Sequence, residues 1–320
     1  MGDRKMKDNS VLKDGLSIIS QCKKETNDIW HAHFGAAAIA SYFFVKDNNI
    51  DEETARNIYS QTRMMLNKQK ISEIINHKEE IDFQIAENMI IKSLEHTIDE
   101  LHWVGHNVIY AALSLLAMQE LRNWGNHQDI EGITNLILSF QKTIPGRSWI
   151  GFKTKEVKQL SIEGEIQSEL KSPKQLSKFI LNELTKFNII YRAESHHDLI
   201  GHMLTYSHAI NIMYDLGHSD IFHRGIRPLL KLVYVLRASQ KLKPNTEINI
   251  HSPIDRLPLI QSKRANVLPI ENIFWAKDFS ELDWDFGHVF KFSYSYFDHI
   301  KRVPEYKDIT LEKFCYIINS

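Results

Sequence analysis

The sequence predicts an all-α protein: a single helical domain spanning residues 1–320, with a metal site between buried helices. Three observations predict it. The most apolar segments, residues 27–44, 101–118, 194–214 and 284–299, are too long for ordinary strands. Several of the remaining segments repeat their apolar residues at helical spacing, and period-two alternation is nearly absent. No fixed-period repeat or low-complexity tract interrupts the pattern.

Taken in order, residues 1 to about 10 are charged and expected to be disordered. Helical patterning starts near Val11. Asn27 or Asp28 is the expected cap of the next helix, which runs apolar almost all round to Phe44 and is therefore buried. Asp47-Asn48-Asn49 stops it. Residues 51–68 and 71–91 read as amphipathic helices. Residues 101–118 form the next buried helix, with His96, His102 and His106 assigned to it, and a short helix follows at 129–141. Pro145-Gly146-Arg147 marks a turn-rich loop. Residues 155–188 are polar and mostly helical, with a break at Ser172-Pro173. Residues 194–214 are the third buried helix, closed by Gly217. Phe222 to Ser239 is helical, with Pro228 early in it. Residues 241–272 form a long loop with one short strand at 247–250, and loops of that length are often functional. The aromatic helix 284–299 and a short helix at 311–318 end the chain.

Composition removes several function classes. Hydrophobic residues make up 43% and charged residues 25%, as in ordinary globular chains. A net charge of -1 offers no electrostatic footprint for nucleic acid or an anionic membrane. No apolar run is long enough to span a bilayer, and no leader-like segment follows Met1. The two cysteines, Cys22 and Cys315, form neither a zinc pair nor a disulfide framework, so a cytoplasmic location is expected. Nucleotide-binding glycine loops, the Gly-x-Ser-x-Gly elbow and His-Glu-x-x-His are absent.

Histidine is the exception, with 16 in the chain. Gly105-His106, Gly201-His202 and Gly287-His288 each precede strongly apolar sequence, and His33-Phe34-Gly35 rearranges the same elements. Glycine inside a helix costs roughly 1 kcal/mol against alanine, so a shared cause is expected: small residues making room for imidazoles around a common object. A lone buried histidine is more often a core residue bonded to a carbonyl. Four on the most apolar helices point to a mononuclear metal held by His33, His106, His202 and His288. Lys291 or an acid would complete the set.

Lys291 lies one turn beyond His288 among Phe286, Val289, Phe290 and Phe292. Burial would lower its pKa, and a neutral amine can add carbon dioxide to become an anionic carbamate. The plain alternative is a lysine that snorkels to water. His102 and His106, four apart, are expected to share a face. Asp198 could orient His202. His208 and Tyr206 are the catalytic candidates. Trp30, Trp103, Tyr206 and Phe292 are candidate pocket walls. His31, His196 and His223 line a pocket or sit at helix starts, whereas His77, His127 and His251 lie in polar surroundings.

The blocks His31-Ala-His33-Phe-Gly-Ala-Ala, His202-Met-Leu-Thr-Tyr-Ser-His208-Ala-Ile, Phe222-His-Arg-Gly-Ile-Arg-Pro with Val235-Leu-Arg-Ala238, and His288-Val-Phe-Lys291 resemble those of questin oxidase-like proteins. These are helical oxygenases of aromatic polyketide pathways. The resemblance implies non-haem iron (Fe2+) held by His33, His106, His202 and His288, with a carboxylated Lys291. It implies oxidative C–C cleavage or Baeyer–Villiger-type oxidation, with dioxygen and a small aromatic molecule as partners. Another divalent metal would suit the same donors, and the oligomeric state is left open. Two rival readings stand beside it. His197-Asp198 could belong to an HD-type metal-dependent phosphohydrolase, with Arg224, Arg227 and Lys231 meeting phosphate. The chain could also be a non-catalytic helical protein, either a scaffold or a haem binder.

Overall fold

A computed structural model describes residues 8–69, 80–162 and 168–318. Within them the chain is all-α, with thirteen α-helices and a single two-stranded ribbon. The first six helices are α1 (Asn9–Thr26), α2 (Ala32–Asp47), α3 (Glu52–Lys68), α4 (Phe83–Glu95), α5 (His106–Leu121) and α6 (His127–Ser139). Strand β1 (Trp149–Ile150) precedes α7 (Thr154–Gln159), α8 (Pro173–Thr185), α9 (Leu199–Asp215) and α10 (Ser219–Arg237). Strand β2 (Ile250–His251) precedes α11 (Asn272–Trp275), α12 (His288–Arg302) and α13 (Lys307–Ile317).

Four helices make the centre. Helix α2 packs on α5, α5 on α9, α9 on α12, and α12 back on α2, which closes a ring. Helix α1 covers α2 and α6, α8 covers α9 and α12, and α10 covers α9. Helices α2, α5 and α9 are buried on nearly every residue, as expected for helices apolar all round. The amphipathic helices lie outside them, and several start on a side-chain cap. Asp51 accepts from the amides of Glu53 and Thr54, and Asn126 forms a capping box with Asp129. The four central helices have no side-chain cap. Among the described residues, no helix is long and apolar enough to cross a membrane.

Several boundaries differ from expectation. Asn27 does not cap α2; with φ 56 it closes α1. Asp28 instead accepts from the Trp30 amide. The segment before His106 is not helix, because α4 ends at Glu95 and Trp103, Val104 and Gly105 all have positive φ. Residues 194–198 form a π-turn that leads into α9. The segment from Trp284 is likewise not a regular helix. Asp283, Trp284, Asp285, Phe286 and Gly287 all have φ between 48 and 72, a left-handed turn. Four consecutive non-glycine residues there carry strain of about 1 kcal/mol or more each. Buried Trp284, whose indole N–H donates to Gln61, anchors the turn.

The 241–272 segment is mostly irregular, but β2 pairs antiparallel with β1, Trp149 opposite His251 and Ile150 opposite Ile250. The helix start expected at residue 71 and His77 both lie outside the described residues.

Candidate metal centre

The central ring brings four histidines to one place. His33 is the second residue of α2, His106 and His288 are the first of α5 and α12, and His202 is the fourth of α9. The imidazole centroids are 4.3 Å apart for His33–His106, 4.6 Å for His106–His202, 5.0 Å for His202–His288 and 5.6 Å for His288–His33. The order of rings repeats the order of helices. All four side chains are buried.

Their tautomers follow from their neighbours. His33 Nδ1 is 3.0 Å from the Trp30 carbonyl and 2.6 Å from the Tyr110 hydroxyl, which itself donates to the Ile29 carbonyl. His106 Nδ1 contacts the Trp103 carbonyl. A carbonyl accepts only, so Nδ1 carries the proton in both rings and Nε2 keeps its lone pair. His106 Nε2 has no hydrogen-bond partner, and neither ring nitrogen of His288 has one. Buried polar atoms without partners are rare and ask for an explanation.

Donor atoms of His33, His106 and His288 lie within 4.8 Å of one another, as do those of Asp198, His202 and His288. These residues could hold a metal ion, and a set rich in imidazole suits zinc, copper, nickel or iron.

Asp198 Oδ1 is 3.0 Å from His288 Nδ1, and Oδ2 is 3.6 Å from His202 Nε2. The shorter approach lacks hydrogen-bond alignment, since both atoms are without a hydrogen-bond partner. Sequence spacing casts Asp198 as a residue orienting His202; the structure puts its carboxylate among the possible donors.

Electrostatics favour neutral imidazoles. Burial pushes His288 down to about 3, and it holds His33, His106 and His202 well below the ordinary value, with Lys291 and the neighbouring rings adding to the effect. Burial raises Asp198 to about 6. Lys291 is 2% exposed, its Nζ has no hydrogen-bond partner, and burial lowers it to about 7. It therefore does not snorkel. The N-termini of α2, α5 and α12 meet here without a side-chain cap, and their partial positive charge further disfavours an ammonium and favours anions.

The quartet forms the floor of a cavity of about 250 Å³. Trp30, Trp103, Val104 and Phe286 supply apolar walls, with Arg147 and Glu194 among the polar lining. Trp30 and Trp103 thus stand where the sequence suggests. Phe292 does not line the cavity; it stacks under His288 at 4.8 Å and 9°. Lys291 instead lines a second space of about 10 Å³ together with His208.

The catalytic candidates lie elsewhere. His208 is six residues beyond His202, about 120° round the helix. Its Nδ1 pairs with Ser295 at 3.0 Å, and its Nε2 lies 3.5 Å from Asp298. Tyr206 is buried with its ring against Gly105 and does not line the cavity.

The glycines do not make room for imidazoles. Gly105 and Gly287 sit immediately before helices, at φ +98 and +72. A Cβ on Gly105 would strike Tyr206, and one on Gly201 would strike Phe292. At Gly35 the close partner is Gly15, where α1 meets α2; a Cβ on Gly15 would lie 2.8 Å from the Gly35 carbonyl.

His102 does not share a face with His106: it precedes the positive-φ turn, and its Nδ1 is 3.2 Å from Thr143 Oγ1. His197 Nδ1 is tied to the Ala193 backbone, and among the described residues His197 belongs to neither group of converging donors, whereas Asp198 does. Arg224 pairs with Asp99 and Lys231 with Glu100, and neither lines the cavity.

Sequence reasoning missed Arg147, Glu194 and Phe286. One signal was available: Trp30-x-x-His33 and Trp103-x-x-His106 share a spacing that lets each tryptophan carbonyl hold the imidazole three residues on. Comparison with protein families, curated proteins and solved structures finds no significant match.

Proposed function

We propose that the chain is a metal-dependent oxygenase, using non-haem iron to oxidise a small aromatic molecule by C–C cleavage or Baeyer–Villiger-type insertion. The observation that carries this reading is the closed quartet of buried imidazoles with unpaired ring nitrogens beneath an aromatic-walled cavity. Iron(II) would supply the one-electron chemistry that activation of dioxygen requires.

The chain's own residues do the rest. His33, His106, His202 and His288 bind the metal as neutral imidazoles. The Trp30 and Trp103 carbonyls and the Tyr110 hydroxyl hold two of those rings in the required tautomer. Asp198 balances charge beside His288 and His202. Trp30, Trp103 and Phe286 hold a flat substrate and exclude water. Lys291, as a neutral amine, adds carbon dioxide: an N–C bond forms, one proton leaves, and an anionic oxygen donor results. The resemblance to questin oxidase-like proteins supports the same assignment. The hydrolase reading loses support because two of its three basic groups, Arg224 and Lys231, are engaged elsewhere, on Asp99 and Glu100.

The test is elemental analysis of untagged protein, with oxygen uptake measured on aromatic hydroxylated probes. Near-stoichiometric iron and substrate-dependent oxygen uptake support the proposal. Stoichiometric zinc with phosphoesterase activity would replace it. No metal after anaerobic reconstitution with iron, manganese and zinc would end it.

A further inference from the structure

Arg147 stands at the edge of the cavity with an engaged edge and an open one. Its Nε and Nη2 donate to the two oxygens of Glu194, at 2.8 and 2.7 Å. Glu194 is itself fixed, accepting from Ser148 Oγ at 3.1 Å, and its backbone amide donates to Asp255. The guanidinium carbon lies 5.9 Å from the Trp30 ring centroid, so the plane is held from a second side. Nη1 has no protein partner among the described residues. A guanidinium gripped along its Nε/Nη2 side keeps an end available for a second planar acceptor. Arg147 is the one cationic side chain lining this cavity among the described residues, since Lys291 lines the other space.

Trp30 bridges Arg147 and the imidazole floor, its ring 5.9 Å from the guanidinium carbon and 5.6 and 6.4 Å from the rings of His33 and His106, and Trp103 and Phe286 line the same cavity. Phe286 is 48% exposed, although it sits in the left-handed turn, where strain has to be offset by something. An exposed aromatic and a fixed guanidinium at the same opening describe a complete recognition surface: flat apolar body, acidic end.

We infer that Arg147 is a specificity-determining residue, and that the substrate is a flat aromatic carboxylate whose carboxylate meets Nη1 while its ring system lies over the imidazoles. This deepens the oxygenase reading by naming the substrate class, and it rests on that reading for the reaction alone.

The test compares binding of 2-naphthoate and its neutral isostere 2-naphthamide by calorimetry. It uses the full chain as purified, then after metal removal by chelation. Naphthoate should bind about tenfold more tightly or better in both states, as a charge-assisted pair at a mouth predicts. Arg147→Gln should erase the preference while leaving naphthamide affinity within about twofold. Arg147→Lys should keep only part of it, because a point charge lacks the fork. Circular dichroism confirms that each variant is folded.

A preference that survives Arg147→Gln but disappears with the metal overturns the inference, because the carboxylate then goes to the metal. Equal affinity for the two probes, or binding of neither, overturns it too. Failure of the oxygenase reading shows separately, as missing metal or missing oxygen uptake, and leaves the probe preference untouched.

Discussion

Helices α9 and α12 each carry two buried histidines, and the two pairs have opposite fates. At the N-terminal ends, His202 and His288 join the quartet, where ring nitrogens lack partners. Farther along, His299 enters a network of hydroxyls, while His208 gives Nδ1 to Ser295 and keeps Nε2 without a hydrogen-bond partner, 3.5 Å from Asp298. His299 Nδ1 is 2.8 Å from Ser177, and its Nε2 is 2.9 Å from Ser207 and 3.0 Å from the Leu204 carbonyl. Asn211 donates to the same Ser177. Burial is equal in the two places, and burial lowers the pKa in both. What separates the quartet from the network around His299 is therefore the convergence of four rings together with lone pairs left unsatisfied. A satisfied buried histidine stabilises the fold, and a set of convergent unsatisfied ones costs stability until something binds.

The sharpest break of that comparison is metal content. His288→Ala or His106→Ala should lower bound metal at least about tenfold, as loss of a ligand does even more surely than loss of a supporting group. His299→Ala should leave metal content unchanged. Elemental analysis of the three variants decides it, and a loss in His299→Ala alone would reverse the assignment of the two clusters.

Stability should respond the other way. His299→Ala leaves Ser177 and Ser207 short of a partner and opens a cavity, a cost of about 3 kcal/mol. His106→Ala, measured on metal-free protein, should cost less, because the imidazole removed there has an unpaired Nε2. Urea denaturation of chelator-treated protein compares the two directly.

Much of this was legible in the chain, for definite reasons. The helices showed because their apolar runs are long, and the quartet showed because each histidine opens an apolar helix. The environments of His208 and Tyr206 did not show. Their separation from His202 fixes an angle round the helix, but Ser295 and Gly105, which receive them, come from distant sequence. The positive-φ turns before His106 and His288 were also hidden. Trp103, Val104, Trp284 and Phe286 have little propensity for that conformation, and tertiary packing imposes it. Arg147 and Glu194 were hidden because a loop pair separated by 47 positions leaves no periodic trace.

Acid should expose the structural cluster. The folded chain holds His299 at about 4, against an ordinary 6.5. Between those values the unfolded chain binds more protons than the folded one, so stability rises with pH. The contribution is fully present above about 6.5 and is lost as pH falls through 4, to a total of about 3 kcal/mol. His208, pushed down to about 3, extends the same loss to lower pH. In metal-free protein, His299→Gln should reduce the slope between pH 6.5 and 4, leaving the share of His208 and the quartet imidazoles, as read from urea midpoints at a series of pH values. An unchanged slope would place the acid sensitivity in the quartet.

The smallest effect is the one that best separates the two kinds of burial. Lys291 has no hydrogen-bond partner for Nζ and is buried as deeply as its apolar neighbours. Without metal or carbon dioxide it costs the fold something, because the unfolded chain carries a proton there that the folded chain holds weakly. Lys291→Met keeps the volume and removes the polar atom, so metal-free protein should gain about 2 kcal/mol, within the range seen when buried charges are replaced by packed hydrophobes. The same variant should bind metal more weakly, since the amine that would become an anionic donor is gone. Gain of stability together with loss of metal is the signature of a residue kept for binding. A variant that loses stability and retains metal would mark Lys291 as a packing residue, and the unsatisfied end of α12 would then reduce to its histidine and Asp198.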